Sequence, residues 1–289
     1  MNVSPELSLS SVQSIDELRD RVRTARAAGQ TIGCVPTMGA LHAGHLSLID
    51  AAREQTDFVV VTVFVNPSQF GPNEDYTLYP RPLEDDLMRC RNAGVDLVFH
   101  PETATVYPEE HATFVEVPNL SAVLEGHFRP THFRGVTTVV LKLLNMVQPD
   151  VAFFGRKDYQ QQFLIRRMVR DLNLPIEIHT CPTSREEDGL ALSSRNAYLN
   201  DEDRQLGLAL SQSLRLACDQ CKAGQTPVEV RQAMLDHLNA LPGLKLDYAT
   251  IVDAQTLEEL DESKPDMVAL VAARVGPTRL IDNMPIRLE

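Results

Sequence analysis

Five short apolar runs, at residues 32–35, 58–65, 95–100, 151–154 and 176–181, alternate with amphipathic stretches at 46–55, 83–93, 135–147 and 159–171. The runs have strand length and β-branched content, whereas the stretches repeat their apolar residues at helical spacing. Strands separated by helices pair in parallel and need cover on both faces, which predicts an α/β, doubly wound sheet. Ligands of such sheets bind beyond the carboxyl ends of the strands. After about residue 200 the pattern changes: helices at 201–223 and 227–241 precede strand candidates at 247–253, 267–275 and 278–282, which suits a smaller α+β domain. The expected domains are residues 1–183 and 184–289, with 184–200 as hinge or linker, and 289 residues fit two domains of roughly 150 each.

A net charge of −13 argues against nucleic acid or an anionic membrane as partner, because both require a basic field. Any site for an anionic substrate has to be locally basic. Residues 1–14 lack a basic region followed by an apolar run, and no segment is long and apolar enough to span a bilayer, so a cytoplasmic setting is expected. Cys34, Cys90, Cys181, Cys218 and Cys221 are odd in number and scattered, unlike a disulfide framework. Cys218 and Cys221 spell C-x-x-C without a second pair and read as incidental thiols.

Four clusters fall at expected strand ends. The first, P-T-M-G-A-L-H-A-G-H-L from Pro36 to Leu46, lies where a strand hands over to a helix. Free N–H groups and the dipole make that junction a phosphate site, Gly39 and Gly44 permit close approach, and His42 and His45 lie three apart. Two capping or surface histidines explain the same pattern, and zinc is disfavoured because no third ligand stands nearby. In the second, F-V-N-P-S-Q-F, Asn66 and Gln69 are either amides for a ligand or turn formers. In the third, F-G-R-K-D-Y-Q-Q, Lys157 can reach a phosphate and Gln161 projects from the next turn, although a solvated helix start fits equally. The fourth, ending D-G-L-A-L-S-S-R-N, sets two hydroxyls beside an arginine in a loop able to close, or in an ordinary linker.

Together with Y-P-R, R-P-T-H-F-R-G-V at Arg129 to Val136 and the closing V-G-P-T-R-L-I-D-N-M, these motifs resemble the pantothenate synthetase family of pantoate and β-alanine ligases over nearly the whole chain. The family is similar to class I aminoacyl-tRNA synthetases and nucleotidyltransferases. The resemblance therefore implies a Rossmann-like sheet of the H-x-G-H type. It implies as well that ATP and pantoate give pantoyl adenylate and pyrophosphate, after which β-alanine displaces AMP.

On that resemblance Met38, Gly39, Ala40, Leu41, His42, Ala43, Gly44 and His45 contact ATP, with His45 as proton donor and His42 its partner. Gln69 and Gln161 match the residues that hold pantoate, with Gln69 also near β-alanine. Gly155, Arg156, Lys157, Asp158, Ser184 and Leu192 match nucleotide-contacting positions, and Ser193, Ser194 and Arg195 match a phosphate-gripping loop. His42, His45, Lys157 and Arg195 would meet charge building on phosphate oxygens. Magnesium would neutralise pyrophosphate, with Asp85 and Asp86 matching the family's acidic pair; early-helix carboxylates favoured by the dipole read equally well there. A homodimer is implied. One departure stands out: Arg156 replaces the Glu common before Lys-Asp.

Two other functions remain open: a different nucleotidyltransferase of the H-x-G-H type, which would need further basic residues, and a non-catalytic nucleotide-binding protein, which should have lost one of His42, His45, Lys157 or Arg195, all of which are present. A dehydrogenase is disfavoured, since no G-x-G-x-x-G follows the first strand.

Overall fold

In the computed structural model residues 9–72 and 74–288 are described; residues 1–8, included above in the search for a leader, lie outside them. The chain forms two compact units, one running to Gly155 and resuming at Gln161–Pro182, the other made of Arg156–Gln160 and Thr183 onward.

The first unit contains β1 (Ser10–Val12), α1 (Ile15–Ala27), β2 (Ile32–Thr37), α2 (Ala43–Gln55), β3 (Phe58–Val63), α3 (Leu83–Asn92) and β4 (Leu97–Phe99). Three one-turn helices follow, α4 (Thr103–Val106), α5 (Pro118–Ser121) and α6 (Glu125–Phe128), then α7 (His132–Val147), β5 (Val151–Gly155), α8 (Tyr159–Asp171, in this unit from Gln161 onward) and β6 (Glu177–Cys181). The strands pair in the order β1-β4-β3-β2-β5-β6, every pair parallel. Sequence order therefore reverses between β2 and β5, and the crevice outside their carboxyl ends is where such sheets bind ligands.

Alternation along each strand divides the core into two layers. Cys34, Val60, Phe99 and Phe154 face one side, with Leu18 and Val22 of α1, Leu143 and Leu144 of α7, and Ile165 of α8. Val35, Val59, Val61, Val98 and Phe153 face the other, with Leu48 and Ile49 of α2 and Cys90 of α3. The five expected strands and their helices are present as a parallel α/β sheet. The structure adds β1 and α1, which the sequence reading did not include.

The second unit holds α9 (Asp201–Lys222), α10 (Pro227–Asn239) and an antiparallel sheet of β7 (Leu244–Asp253), β8 (Asp266–Val275) and β9 (Thr278–Arg287), in that order. Leu210, Leu214 and Met234 pack on Ile251, Val271 and Ile286. β9 runs beyond the expected end at Asp282 because its Pro285 lies on an edge strand, where a missing N–H breaks no inner ladder. The 184–200 segment is structured: Arg185 bridges to Ala191, and Ser194–Tyr198 forms a 3₁₀ turn. Among the described residues no helix is long and apolar enough to cross a membrane.

Candidate active site

β2 reaches the carboxyl edge at Thr37, and four residues turn the chain toward α2 and its cap. Gly39 and Ala40 take φ values of 80° and 51°. Glycine adopts that region freely, whereas alanine has to be held there. Asp86, buried in the first turn of α3, does the holding. Its Oδ2 accepts the Ala40 N–H at 2.9 Å and its Oδ1 the Leu41 N–H at 2.7 Å. A Cβ on Gly39 would lie 2.9 Å from Asp86 Oδ2, so a larger residue would push into the carboxylate. Burial moves the Asp86 carboxyl above its ordinary range, against the opposing pull of the two N–H groups.

The turn delivers His42 as N-cap of α2. Its Nδ1 accepts the Gly44 N–H at 3.1 Å, while Nδ1 of His45 accepts the His42 N–H at 3.3 Å, a reciprocal capping box built from two imidazoles. With Nδ1 an acceptor in both rings, each neutral imidazole carries its proton on Nε2. The ring centroids are 4.1 Å apart. No acidic residue occupies the first turn of α2, so nothing within that turn offsets the positive end of its dipole. Two N–H donors at a helix start make a cradle for anionic oxygen.

Beside it, β3 leads to a 3₁₀ turn, Pro67–Gln69. Gln69 is 8 % exposed, with Oε1 accepting from Asn66 Nδ2 at 2.9 Å and Nε2 donating to Met38 Sδ at 3.1 Å. That contact joins the ends of β2 and β3. Its backbone carbonyl is gripped from α7 and the preceding loop: His132 Nδ1 donates at 2.9 Å and Arg129 Nη2 at 3.3 Å. Arg129 in turn lies bidentate on Glu74, at 2.7 and 2.6 Å. Burial acts to raise the Glu74 carboxyl, but the Arg129 hydrogen bonds and charge prevail and hold it below its usual range. A Cβ on Gly135 would meet the Ser68 carbonyl at 2.2 Å, so α7 presses on this turn where only glycine fits. Gln161 stands half-buried in the first turn of α8.

The remaining candidates belong to the second unit. Arg156, Lys157 and Asp158 form the half-buried turn before α8, with Lys157 Nζ 3.6 Å from Asp158 Oδ1. Leu192 N donates to the Ser184 carbonyl at 2.9 Å, and Ser193 Oγ accepts the Arg195 N–H at 3.3 Å, starting the turn that holds Ser194 and Arg195.

Asp85 and Asp86 are separated by their environments. Asp85 is exposed, while Asp86 is 1 % exposed and both its oxygens are engaged by backbone N–H groups. Among the described residues no three His, Cys, Asp or Glu side chains cluster as a metal set. Magnesium needs a near-octahedral oxygen shell that includes water, and this pair does not fit a resident ion. The sequence showed the carboxylates but could not show that one of them was already used by Ala40 and Leu41.

The pantoate-beta-alanine ligase family matches residues 10–285. The chain belongs to this family. Among its relatives in the family, a pantothenate synthetase from Moorella thermoacetica is 53 % identical over 279 residues, covering 96 % of this chain and 99 % of that protein. The crystal structure of pantothenate synthetase from Thermus thermophilus superposes with a TM-score of 0.90 at 47 % identity, covering 95 % of this chain and 98 % of that one. A pantoate-beta-alanine ligase from Francisella tularensis, solved in complex with beta-gamma ATP and beta-alanine, gives a TM-score of 0.78 at 35 % identity, covering 96 % and 97 %. As a member of the pantoate-beta-alanine ligase family the chain is a ligase.

Proposed function

We propose that the protein condenses pantoate with β-alanine at the expense of ATP, through pantoyl adenylate, with release of AMP and pyrophosphate. The observation that carries this reading is the start of α2: two imidazoles capped through Nδ1 and bearing hydrogen on Nε2, at a helix N-terminus without a first-turn carboxylate. When the pantoate carboxylate attacks the α-phosphorus, charge grows on phosphate oxygens, and positioned donors there lower the barrier. His45 and His42 serve as those donors. Because Nδ1 is tied to backbone N–H, they act as neutral hydrogen-bond donors, with His45 nearest in role to the family's proton donor. On the family resemblance, the residues from Met38 to His45 contact ATP.

Gln69 and Gln161 hold pantoate, since an amide can both donate to its carboxylate and accept from its hydroxyls. The shell of Asn66, Arg129 and His132 supports this role for Gln69 by fixing both ends of the residue. Gly155 to Asp158, Ser184 and Leu192 enter through the family likeness as nucleotide contacts, with Lys157, Ser193, Ser194 and Arg195 as the charge and hydroxyls for the leaving pyrophosphate. Magnesium arrives as the counter-ion of ATP, part of the substrate. A homodimer is proposed on the family resemblance, and a cytoplasmic setting is proposed with it.

Incubation with ATP, pantoate and β-alanine is expected to yield one AMP and one pyrophosphate per pantothenate. Stoichiometric ADP and phosphate, resolved by anion exchange or ³¹P NMR, would refute the adenylate route.

A further inference from the structure

We infer that Asp282 and Asn283, neighbours on β9, are positioning residues for the nucleotide, each fixing a different segment of the second unit; the inference rests on the assignment of those segments to ATP. Asn283 spends both amide hydrogens on consecutive carbonyls, donating from Nδ2 to Arg156 O at 2.9 Å and to Lys157 O at 2.8 Å. Two successive carbonyls held by one amide fix the two peptide planes that flank the Lys157 Cα, and with them the direction in which the Lys157 side chain leaves the backbone. The turn carrying the proposed triphosphate cation is thus set by a side chain from the far end of the sequence.

Asp282 does the same for the other segment. Its carboxylate takes Arg185 in a two-pronged pair, Nη1 to Oδ2 at 2.6 Å and Nη2 to Oδ1 at 2.9 Å. Arg185 also donates to Gly189 O and Asn283 O, each at 3.1 Å, and its residue bridges to Ala191. The Leu192 N–H to Ser184 carbonyl bond follows directly, so the grip on Arg185 closes the loop that ends in Ser193, Ser194 and Arg195. Asp282 Oδ1 accepts the Asn283 N–H at 2.7 Å, which links the two grips into one network. Both residues are nearly buried, at 4 % and 2 % exposed, yet pair in register with apolar Val271 and Leu270. Apolar residues would suit a β-sheet at those positions, and polar ones with such directed bonds point to a demand from the loops they hold.

The test is pantoate-dependent exchange of labelled pyrophosphate into ATP by the full chain. Asn283→Ala is expected to raise KM for ATP about tenfold or more, with KM for pantoate changed less than about twofold. Asn283→Asp should be worse, since it aims a carboxylate at two carbonyls. Arg185→Lys keeps the charge but breaks the fork, and as the milder lesion should raise KM for ATP by about three- to fivefold. Leu214→Ala weakens the apolar core of the same unit without touching either grip, and should lower thermal stability without moving KM for ATP. The inference is overturned if Asn283→Ala leaves KM for ATP unchanged, or if Leu214→Ala raises it equally. Lys157→Ala separates the inference from its premise: an effect there without one at Asn283 defeats the inference alone, and no effect at Lys157 defeats both.

Discussion

Replacing His45 with Ala is expected to slow single-turnover formation of pantoyl adenylate by about two to four orders of magnitude, the range for loss of a group acting on transition-state charge or a proton. Binding of pantoate should change little, because the side chain faces phosphate in this account. The substitution also removes the acceptor of the His42 N–H at 3.3 Å, a capping loss of about 0.5–2 kcal/mol. That loss alone accounts for no more than a modest drop in thermal stability, so the two effects separate experimentally. Near-normal adenylation alongside a lowered melting temperature would make His45 a cap and nothing more.

Asp86→Ala should have the next largest effect although Asp86 is not proposed to touch substrate. The change orphans the Ala40 and Leu41 N–H groups and leaves Ala40 at a φ of 51° with no bond to hold it. The abandoned buried donor of Leu41 costs about 1–3 kcal/mol and that of half-buried Ala40 less, and the loop is expected to relax out of the positive-φ region to recover it. Because the same loop sets the entry of α2, the phosphate-facing donors move with it, and a displacement near 1 Å is enough for about a 10²-fold loss of adenylation rate. Asp86→Asn retains one acceptor and should fall between. The magnesium dependence distinguishes this account from a metal-ligand role: half-saturation by Mg²⁺ should stay near the wild-type value in both variants. A steep rise in the magnesium requirement would return Asp86 to the ion.

Local pattern made much of this molecule legible, and sequence-distant pairing hid the rest. Each inner strand of the first unit alternates residues between two buried layers, so its apolar run reads plainly, and His42 and His45 lie one helical turn apart, so their cap is a local fact. β1 is only Ser10–Val12, and α1 buries only Leu18, Val22 and Ala25 among charged neighbours, which leaves little hydrophobic signal to read. Asp86 holds Leu41 across 45 positions, His132 holds the Gln69 carbonyl across 63, and Arg185 meets Asp282 across 97. No periodicity records such partners. The motifs containing Arg129, His132, Asp282 and Asn283 were visible as family likeness, yet their work became apparent only when the carbonyls held by Arg129, His132 and Asn283, and the guanidinium held by Asp282, were seen.

The central claim is that the pantoate carboxylate attacks the α-phosphorus of ATP at the head of α2, and oxygen tracing tests it most directly. With pantoate labelled by ¹⁸O in both carboxylate oxygens, complete turnover with β-alanine should place one ¹⁸O in the phosphate of each AMP and leave pyrophosphate unlabelled, as read by mass spectrometry. Unlabelled AMP, or ¹⁸O recovered in inorganic phosphate, would contradict the account.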